Sequence, residues 1–324
     1  NIVYFLIMIT KKILIFGASG QIGRNCIRRF AKNNYKITAV TRNLHRKGYI
    51  LKTQAPIGYL DIVEANIFDE KKLKELISEA DICINLVGIL HEKGRLSTFK
   101  NIHTYFPKKV AEICNSQKVK FVHVSALGLK KATDSKYATS KISGENFVRT
   151  ILPDATIIKP SLVYSVDDNL TTKFMSLLSM LPIFPLYYGG KTKFMPIHVS
   201  DLTNLIFHVI NKEIYSIDIE AIGPETLTFK EILQILMKCT RRNRILLSMP
   251  LSLARLTAFF MQILPEPLIT QDQINLLKYD NIKSEKSTTN FDIGCASKLK
   301  FEETVMKYAF NWTEGGQFSN FSKK

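Results

Sequence analysis

The chain has 324 residues, of which 46% are hydrophobic and 23% charged, with only 15 glycines and 11 prolines. This composition excludes a disordered, collagen-like or low-complexity chain, and it predicts either one large α/β unit or a core domain with a smaller one. The 45 lysines and arginines against 28 aspartates and glutamates leave a net charge of +17, which favours phosphate groups, anionic lipid or acidic protein surfaces as partners. The densest basic runs lack interleaved aromatic side chains, so nucleic-acid binding is not predicted.

The five cysteines lie far apart with no C-x-x-C pair, which predicts reduced, partly buried thiols and no metal site. Residues 1–9 are apolar but carry no basic start and are too short to span a bilayer, so they predict neither a signal peptide nor an anchor. Met8 stands just before the first predicted strand, which leaves open whether residues 1–7 belong to the natural protein. No transmembrane span is predicted, and docking on a membrane surface is the less favoured alternative.

Short apolar runs alternate with amphipathic stretches through the first half of the chain. This order is typical of βαβ units and predicts an α/β protein with a Rossmann-type, doubly wound parallel sheet. The predicted strands are 12–16, 36–41, 62–66, 82–87, 121–125, 156–159 and 217–222. The predicted helices between them are 21–32, 70–79, 99–116 and 140–150.

After Pro160 the alternation breaks down, and apolar stretches interrupted by proline appear at 174–188 and 245–268. For 245–268, packing within a second domain is favoured, and a helix lying in a membrane interface is the alternative. The predicted domains are an NAD(P)-binding Rossmann domain of residues 10–170 with 197–222 returning to the sheet, and a smaller, mostly helical substrate or docking domain of residues 171–196 and 223–324.

A glycine-rich loop directly follows the first predicted strand and opens a helix, which is the setting that a dinucleotide phosphate loop requires. Gly17 allows the tight turn, Gly20 lets the backbone approach the pyrophosphate, and Gly23 lets the helix pack closely on the sheet. The helix N-terminus adds free N–H donors and a favourable dipole. The predicted cofactor residues of this loop are Gly17, Ser19, Gly20, Gln21, Ile22 and Gly23.

The residues at the end of the second predicted strand bear on the choice of cofactor. NAD-specific proteins place an acidic residue there on the ribose hydroxyls, whereas this chain has Thr41 and Arg42. A guanidinium at this point suits a 2′-phosphate, with Arg46 and Lys47 as helpers. NADP(H) is therefore the predicted cofactor, with NAD(H) as the alternative.

The glycine spacing G-x-x-G-x-x-G resembles that of extended and atypical short-chain dehydrogenases. The resemblance continues at Asn66 and Ile67, which look like the family's adenine-contacting segment with asparagine in place of the usual aspartate. Asn85 begins a segment similar to the family's N-x-x-G turn beside the ribose. The resemblance thus implies that the nucleotide is also lined by Asn66, Ile67, Leu86, Val87 and Gly88.

Tyr137 and Lys141 have the Y-x-x-x-K spacing that puts two side chains on one face of a helix. A lysine ammonium one turn away favours the phenolate and can hold the nicotinamide ribose, so Tyr137 is the candidate general acid or base. Ser125, at the end of a predicted strand, is the candidate that orients a substrate oxygen. The same residues could bind the cofactor without turnover, and the sequence leaves both interpretations open.

A proton relay is a further expectation from the resemblance. In the related dehydrogenases an asparagine on the preceding helix completes the relay, and Asn101 stands at the matching place. The neighbouring His103 could carry protons, although a lone histidine is more often a packing or hydrogen-bonding residue.

Further segments recur in the order of one branch of this family. They include Phe-Val-His-Val-Ser-Ala-Leu-Gly at 121–128, Met-Pro-Ile-His-Val-Ser-Asp at 195–201 and the more discriminating Leu-Ile-Thr-Gln-Asp-Gln at 268–273. Over residues 12–283 the chain resembles the atypical short-chain dehydrogenases that include the NAD(P)H-binding accessory subunit of respiratory complex I and its bacterial relatives. This implies a tightly held dinucleotide with a structural or regulatory role at the membrane-facing side of the complex. The sequence has no flavin motif or iron–sulfur cysteine cluster, which argues against electron entry.

Two functions are therefore predicted. The favoured one is an NAD(P)H-binding accessory or assembly protein of complex I (NADH:ubiquinone oxidoreductase), in the cytoplasm or peripheral on the inner membrane, on the matrix side in a mitochondrion. The alternative is a free-standing NADP-dependent reductase, epimerase or dehydratase acting on a carbonyl or nucleotide-sugar substrate through Ser125, Tyr137 and Lys141. Apolar residues at 174–188 favour a greasy substrate in that case. The expected partners are the dinucleotide, complex I subunits and the membrane surface.

Overall fold

The computed structural model describes residues 11–252, 255, 267 and 269–316. Its strands are β1 (Lys12–Phe16), β2 (Lys36–Thr41), β3 (Leu60–Glu64), β4 (Ile82–Asn85), β5 (Lys120–Val124), β6 (Thr156–Pro160), β7 (Val163–Tyr164), β8 (Ile183–Leu186), β9 (Lys193–Phe194), β10 (Ile197–His198), β11 (Asp218–Ala221), β12 (Leu227–Thr228), β13 (Ile245–Ser248) and β14 (Thr288–Thr289). Eight of them form a central sheet in the order β14-β11-β6-β5-β4-β1-β2-β3, and every neighbouring pair in it is parallel.

The described residues form helices that cover both faces of this sheet and further helices that pack apart from it. They are α1 (Gln21–Ala31), α2 (Leu44–Lys52), α3 (Glu70–Ser78), α4 (Phe106–Gln117), α5 (Lys136–Ile151), α6 (Thr171–Met180), α7 (Val199–Asn211), α8 (Phe229–Cys239), α9 (Gln271–Leu276) and α10 (Phe301–Val305), with a π-helical turn, Lys100–Tyr105, leading into α4. Successive residues of β1 face opposite sides, so Ile13 and Ile15 pack with α1, α2 and α7. Leu14 and Phe16 pack with α3, α4 and α5 on the other face. The predicted doubly wound α/β fold is confirmed.

Two strands end two residues earlier than predicted, and side-chain hydrogen bonds explain why. β3 ends at Glu64, because Asn66 Oδ1 accepts a hydrogen bond from the Phe68 N–H at 3.0 Å and starts a turn. β4 ends at Asn85, whose Oδ1 accepts a hydrogen bond from the Val87 N–H at 3.0 Å. Asparagine side chains compete with ladder pairing in this way. β1 and β2, which contain no such residue, have the predicted bounds.

Among the strands of the central sheet and the helices that cover it, the prediction omits α2, α7 and β14 and places the start of α5 too late. α2 begins after Asn43, whose Oδ1 accepts a hydrogen bond from the Arg46 N–H at 2.9 Å. α5 begins at Lys136 rather than residue 140, because the side chain of Ser135 accepts a hydrogen bond from the Ala138 N–H at 3.1 Å. The candidate Tyr137 therefore lies in the first turn of this helix.

A third apolar cluster lies apart from the two sheet faces and is built mainly from α6, α8 and α10. The pairs β8–β13 and β9–β12 add short strands to the region predicted as mostly helical. Phe301 and Val305 of α10 are fully enclosed in this cluster, so part of the chain beyond residue 290 completes a core.

Within the described ranges, no helix combines the length and apolarity needed to cross a bilayer. The same ranges contain no group of three or more His, Cys, Asp and Glu side chains arranged to hold a metal ion. Two predictions lie outside the described residues: the extension at 1–7, and most of the apolar stretch at 245–268.

Candidate dinucleotide site

A cleft of about 220 Å³ opens beside the carboxyl ends of β1 and β4, where the strand order reverses. Parallel α/β sheets bind their ligands at such switch points. The glycine loop leads directly from β1 into α1 and forms part of the wall. The lining residues are Phe16, Gly17, Ser19, Gly20, Val40, Thr41, Arg42, Ala65, Ile67, Leu86, Val87, Gly88, Ile89 and Ile102.

Two glycines make the loop conformation possible. Gly17 has φ +80°, a left-handed backbone that side chains rarely tolerate, and a Cβ there would lie 2.9 Å from the carbonyl carbon of Leu86. A Cβ on Gly23 would lie 2.6 Å from the carbonyl oxygens of Gly17 and Ala18. Gly20 is less constrained, since its Cβ would lie 3.3 Å from the Gly17 oxygen. The tight turn and the close approach of α1 thus depend on Gly17 and Gly23.

Most of the predicted cofactor residues line this cleft, namely Gly17, Ser19, Gly20, Arg42, Ile67, Leu86, Val87 and Gly88. Gln21 is directed elsewhere, because its Nε2 donates a hydrogen bond to Ser165 Oγ at 2.9 Å. Asn66 uses its side chain in the turn described above, and Ile22 packs against the core beneath α1. Direct contact of Gln21, Ile22, Gly23 and Asn66 with a nucleotide remains a prediction.

Five apolar residues line the cleft without having been predicted to do so: Phe16, Val40, Ala65, Ile89 and Ile102. Phe16 is the last residue of β1, Val40 is the penultimate residue of β2, and Ala65 directly follows β3. These three residues could have been found from their position at or near the end of a predicted strand, because the carboxyl ends of neighbouring parallel strands meet at one edge of the sheet. Ile89 and Ile102 carry no comparable local signal.

A positive and a negative residue, Arg42 and Glu64, lie at the carboxyl ends of the neighbouring strands β2 and β3, at one end of the cleft. Arg42 is exposed at the end of β2 and lines the cleft. Glu64, paired with Thr41 across β2 and β3, accepts a hydrogen bond through Oε2 from the Leu44 N–H at 2.8 Å. The N-terminus of α2 therefore already holds a carboxylate, which opposes binding of a second anion there.

Tyr137 and Lys141 lie on one face of α5, and Glu145, one turn further on, lies on the same face. Lys141 is only 7% exposed, and its Nζ lies 5.9 Å from the centre of the Tyr137 ring and 3.5 Å from the Val124 carbonyl oxygen. Burial lowers the pKa of Lys141 to about 8, although Glu145 opposes this shift. Burial also raises the pKa of Tyr137, and Asp272 and Glu145 add to this shift. A Cβ on Gly88 would lie 3.7 Å from Lys141 Nζ, so the lysine lies beside the cleft wall.

Ser125 lies directly after β5, 4% exposed, and its hydroxyl donates a hydrogen bond to Glu145 Oε1 at 2.5 Å. Glu145 Oε2 forms an ion pair with Lys159 Nζ at 2.8 Å, and Lys159 pairs with Asp218 at the same distance. Glu145 is eight residues beyond Tyr137, or about 12 Å along the helix axis. The Ser125 hydroxyl is therefore bound to a residue about two helical turns beyond Tyr137, and its catalytic role remains a prediction.

His103 lies between the cleft and α5. Its Nε2 accepts a hydrogen bond from the Ile89 N–H at 3.1 Å, so the proton resides on Nδ1, which lies 3.0 Å from Ser140 Oγ. Burial is the main cause that lowers the pKa of His103 to about 3, and the charge of Lys141 adds to it. The ring is therefore neutral and packs edge to face with Tyr137, with ring centres 5.1 Å apart. Asn101, the expected relay residue, instead donates a hydrogen bond through Nδ2 to the Leu96 carbonyl at 3.1 Å.

Comparison with known proteins identifies the family to which the chain belongs. A profile of the NAD dependent epimerase/dehydratase family matches residues 13–218, which is more than half of the chain. The chain therefore belongs to this family, and a nicotinamide dinucleotide is its cofactor. This confirms the class predicted from the glycine loop, while the choice between NADP(H) and NAD(H) is a separate question.

Individual relatives fall into two groups. The chain is 24% identical over 315 residues to NADH dehydrogenase (ubiquinone) 1 alpha subcomplex subunit 9, mitochondrial, of Arabidopsis thaliana, covering 93% of this chain and 78% of that protein. It is 25% identical over 191 residues to a ceramide reductase of Caulobacter vibrioides, covering 58% of this chain and 57% of that protein. The solved structure of Pal from Bacillus thuringiensis matches with a TM-score of 0.69 at 16% identity, over 93% of this chain and 98% of that one. The resemblance expected from the sequence is confirmed, and the structural match shows the fold alone.

Proposed function

We propose that this protein is an accessory or assembly protein of respiratory complex I that holds a nicotinamide dinucleotide in a structural or regulatory role. The observation that carries the proposal is the similarity to a complex I subunit over 93% of the chain, which extends well beyond the family profile ending at residue 218. The ceramide reductase, by comparison, matches 58% of the chain. The dinucleotide cleft supplies the binding site that this function needs.

The site geometry supports holding rather than turnover. The Ser125 hydroxyl donates its hydrogen bond to Glu145, and the His103 ring uses both nitrogens within the protein. Tyr137, Leu276 and Tyr279 all pack against one apolar cluster formed by Leu129, Ala132 and Ala138. Lys141 remains beside Gly88 at the cleft wall, where it can donate to the ribose of a bound cofactor.

The proposed partners follow from charge and from the named relative. A net charge of +17 suits docking against acidic subunits or anionic lipid headgroups. The Arabidopsis relative is a mitochondrial protein, and the corresponding location for this chain is the surface of the membrane that holds complex I, on the matrix side in a mitochondrion. This location does not require the protein to have a transmembrane segment of its own.

A second function is favoured by a different observation. Tyr137 and Lys141 retain the spacing and the burial of an acid–base pair, and one relative is named a ceramide reductase. An NADP-dependent reductase, epimerase or dehydratase acting on a carbonyl substrate would use this pair. Burial of Tyr137 raises its pKa, so the free protein keeps the phenol protonated, which is the state that a general acid needs.

The experiment that separates these functions is to tag the protein in its own organism, solubilise the membranes gently, and analyse native gels by mass spectrometry. We expect the tagged protein to migrate with complex I, and the Tyr137→Phe variant to do the same. We also expect purified protein to show no NADPH oxidation with small carbonyls or quinones. Migration alone, together with NADPH oxidation that disappears in Tyr137→Phe, would replace the first function with the second.

We propose that the cofactor is NADP(H). Arg42 binds its 2′-phosphate, and the negative charge of Glu64 weakens the binding of that phosphate. Arg42→Ala is expected to weaken NADPH binding by about 1.5 to 3 kcal/mol while leaving NADH binding nearly unchanged, because only NADPH carries the phosphate. Glu64→Gln is expected to tighten NADPH binding selectively, since it removes a negative charge at the N-terminus of α2 but keeps an acceptor for Leu44. Calorimetric titration with both cofactors measures these effects.

The matched control is Lys52→Ala, which removes an exposed positive charge from the last turn of α2, away from the residues that line the cleft. It should leave the affinity ratio of the two cofactors unchanged. Equal losses of NADPH and NADH affinity in Arg42→Ala would contradict the proposed phosphate contact.

A further inference from the structure

Residues 270–281 lie on the loop that follows β5 and on the first turn of α5. The segment begins with a reciprocal capping box, in which Thr270 Oγ1 accepts a hydrogen bond from the Gln273 N–H at 3.1 Å and Gln273 Oε1 accepts one from the Thr270 N–H at 3.0 Å. This motif defines the start of α9 and places Asp272 in its first turn. The segment overlaps the Leu-Ile-Thr-Gln-Asp-Gln stretch that distinguishes this branch of the family.

Asp272 binds the N-terminus of α5. Its Oδ1 accepts a hydrogen bond from the Lys136 N–H at 2.7 Å, and its Oδ2 accepts from the Tyr137 N–H at 3.1 Å and from Ser135 Oγ at 2.8 Å. A carboxylate at this point satisfies backbone donors that the helix cannot pair internally, and it interacts favourably with the helix dipole. A residue 135 positions away in the chain therefore stabilises the turn that carries Tyr137.

Other contacts hold the same segment against the loop before α5. Asn275 Nδ2 donates a hydrogen bond to the Asp134 carbonyl at 3.1 Å, and Asn281 Nδ2 donates to the Leu127 carbonyl at 2.6 Å. Gly128 has φ +76°, and a Cβ there would lie 3.0 Å from the backbone oxygen of Asp280, so the glycine allows this close approach. The segment is thus bound along its length rather than at one end.

The next turn of α5 contacts the wall of the cleft. Lys141 Nζ lies against Gly88, which lines the cleft. His103 accepts a hydrogen bond from the amide of Ile89, another lining residue, and also lies within hydrogen-bonding distance of Ser140 on α5. A continuous set of contacts therefore runs from the cleft through α5 to Asp272.

We propose that nucleotide binding in the cleft and seating of residues 270–281 on α5 are thermodynamically coupled, with Asp272 as the residue that couples them. The inference rests on the proposed holding of a dinucleotide. A nucleotide that orders α5 through Lys141 strengthens the binding of Asp272 to its first turn, and by linkage a seated segment strengthens nucleotide binding. Residues 270–281 then form a surface whose order depends on whether the cleft is occupied, which a partner subunit can distinguish.

Hydrogen exchange of the whole protein, followed by mass spectrometry with and without saturating NADPH, tests the coupling. We expect NADPH to slow exchange both in the glycine loop at 17–23 and in residues 270–281. In Asp272→Asn the loop should still be protected at saturation, while residues 270–281 lose their dependence on nucleotide. The same variant should bind NADPH about 5-fold or more weakly although the residue lies outside the cleft lining.

The control variant is Asp201→Asn, which removes the same charge from a carboxylate that accepts hydrogen bonds from the Lys298 and Leu299 amides, both at 3.0 Å. It should leave the coupling and the NADPH affinity unchanged. Protection of the glycine loop without any change in residues 270–281 of the unmodified protein would overturn the coupling and leave the proposed function intact. Absence of protection at the glycine loop with NADPH or NADH would overturn both.

Discussion

Gly17→Ala is expected to reduce the affinity for NADPH and NADH by about 100-fold, equivalent to nearly 3 kcal/mol. The backbone at Gly17 has φ +80°, and the added Cβ would lie 2.9 Å from the carbonyl carbon of Leu86. Leu86 directly follows β4 and is held by its N–H, which donates a hydrogen bond to the Phe16 carbonyl at 3.0 Å; a shift of Leu86 would displace the adjoining Val87, which also lines the cleft. The substitution therefore shifts the amides that would face the pyrophosphate. Titration calorimetry with each cofactor measures the loss.

Gly94→Ala is the matched control, because Gly94 also has a positive φ, +65°, but a Cβ there meets nothing within 4 Å. It introduces a similar backbone strain, of order 1 kcal/mol, outside the residues that line the cleft. We expect unchanged cofactor affinity in this variant. Binding by Gly17→Ala as tight as that of Gly94→Ala would show that the glycine loop does not hold the nucleotide.

Gly144→Ala is expected to lower the free energy of unfolding by about 3 kcal/mol, because overpacking against backbone atoms forces two helices apart. A Cβ at this position on α5 would lie 1.9 Å from the carbonyl oxygen of His103. That oxygen belongs to the π-helical turn before α4 and has no side-chain freedom with which to move. Chemical denaturation followed by circular dichroism measures the change.

Gly48→Ala provides the comparison, since Gly48 is also inside a helix and its Cβ would meet only the flexible Leu44 side chain, at 3.0 Å. The higher helix propensity of alanine limits the expected change to about 1 kcal/mol in either direction. Equal stability of the two variants would mean that α5 and the π-helical turn are not packed as closely as described.

Much of the sheet could be predicted because strands buried on both faces appear in the sequence as short, continuous apolar runs. β1 has this form, and both β1 and β2 match their predicted bounds. The prediction failed where a single polar side chain ended a strand or began a helix, as at Asn85 and Asn43. β14 was missed because a two-residue strand at the sheet edge has no periodicity to detect.

The glycine loop could also be predicted from the sequence. Because its strand, turn and helix are adjacent in the chain, one local pattern contains the whole structural unit. The spacing of Tyr137 and Lys141 likewise placed both side chains on one face of α5. The sequence by itself therefore determined the doubly wound sheet, the position of the cleft and the cofactor class.

Only the tertiary structure decided how the polar groups around the cleft are used. Ser125 is paired with Glu145, Leu44 with Glu64, and the start of α5 with Asp272. These partners are separated by 20, 20 and more than 130 residues, and no local pattern specifies them. A short-range motif predicts which chemical groups are present, whereas hydrogen bonding and burial in the folded chain determine which of them remain available to a ligand.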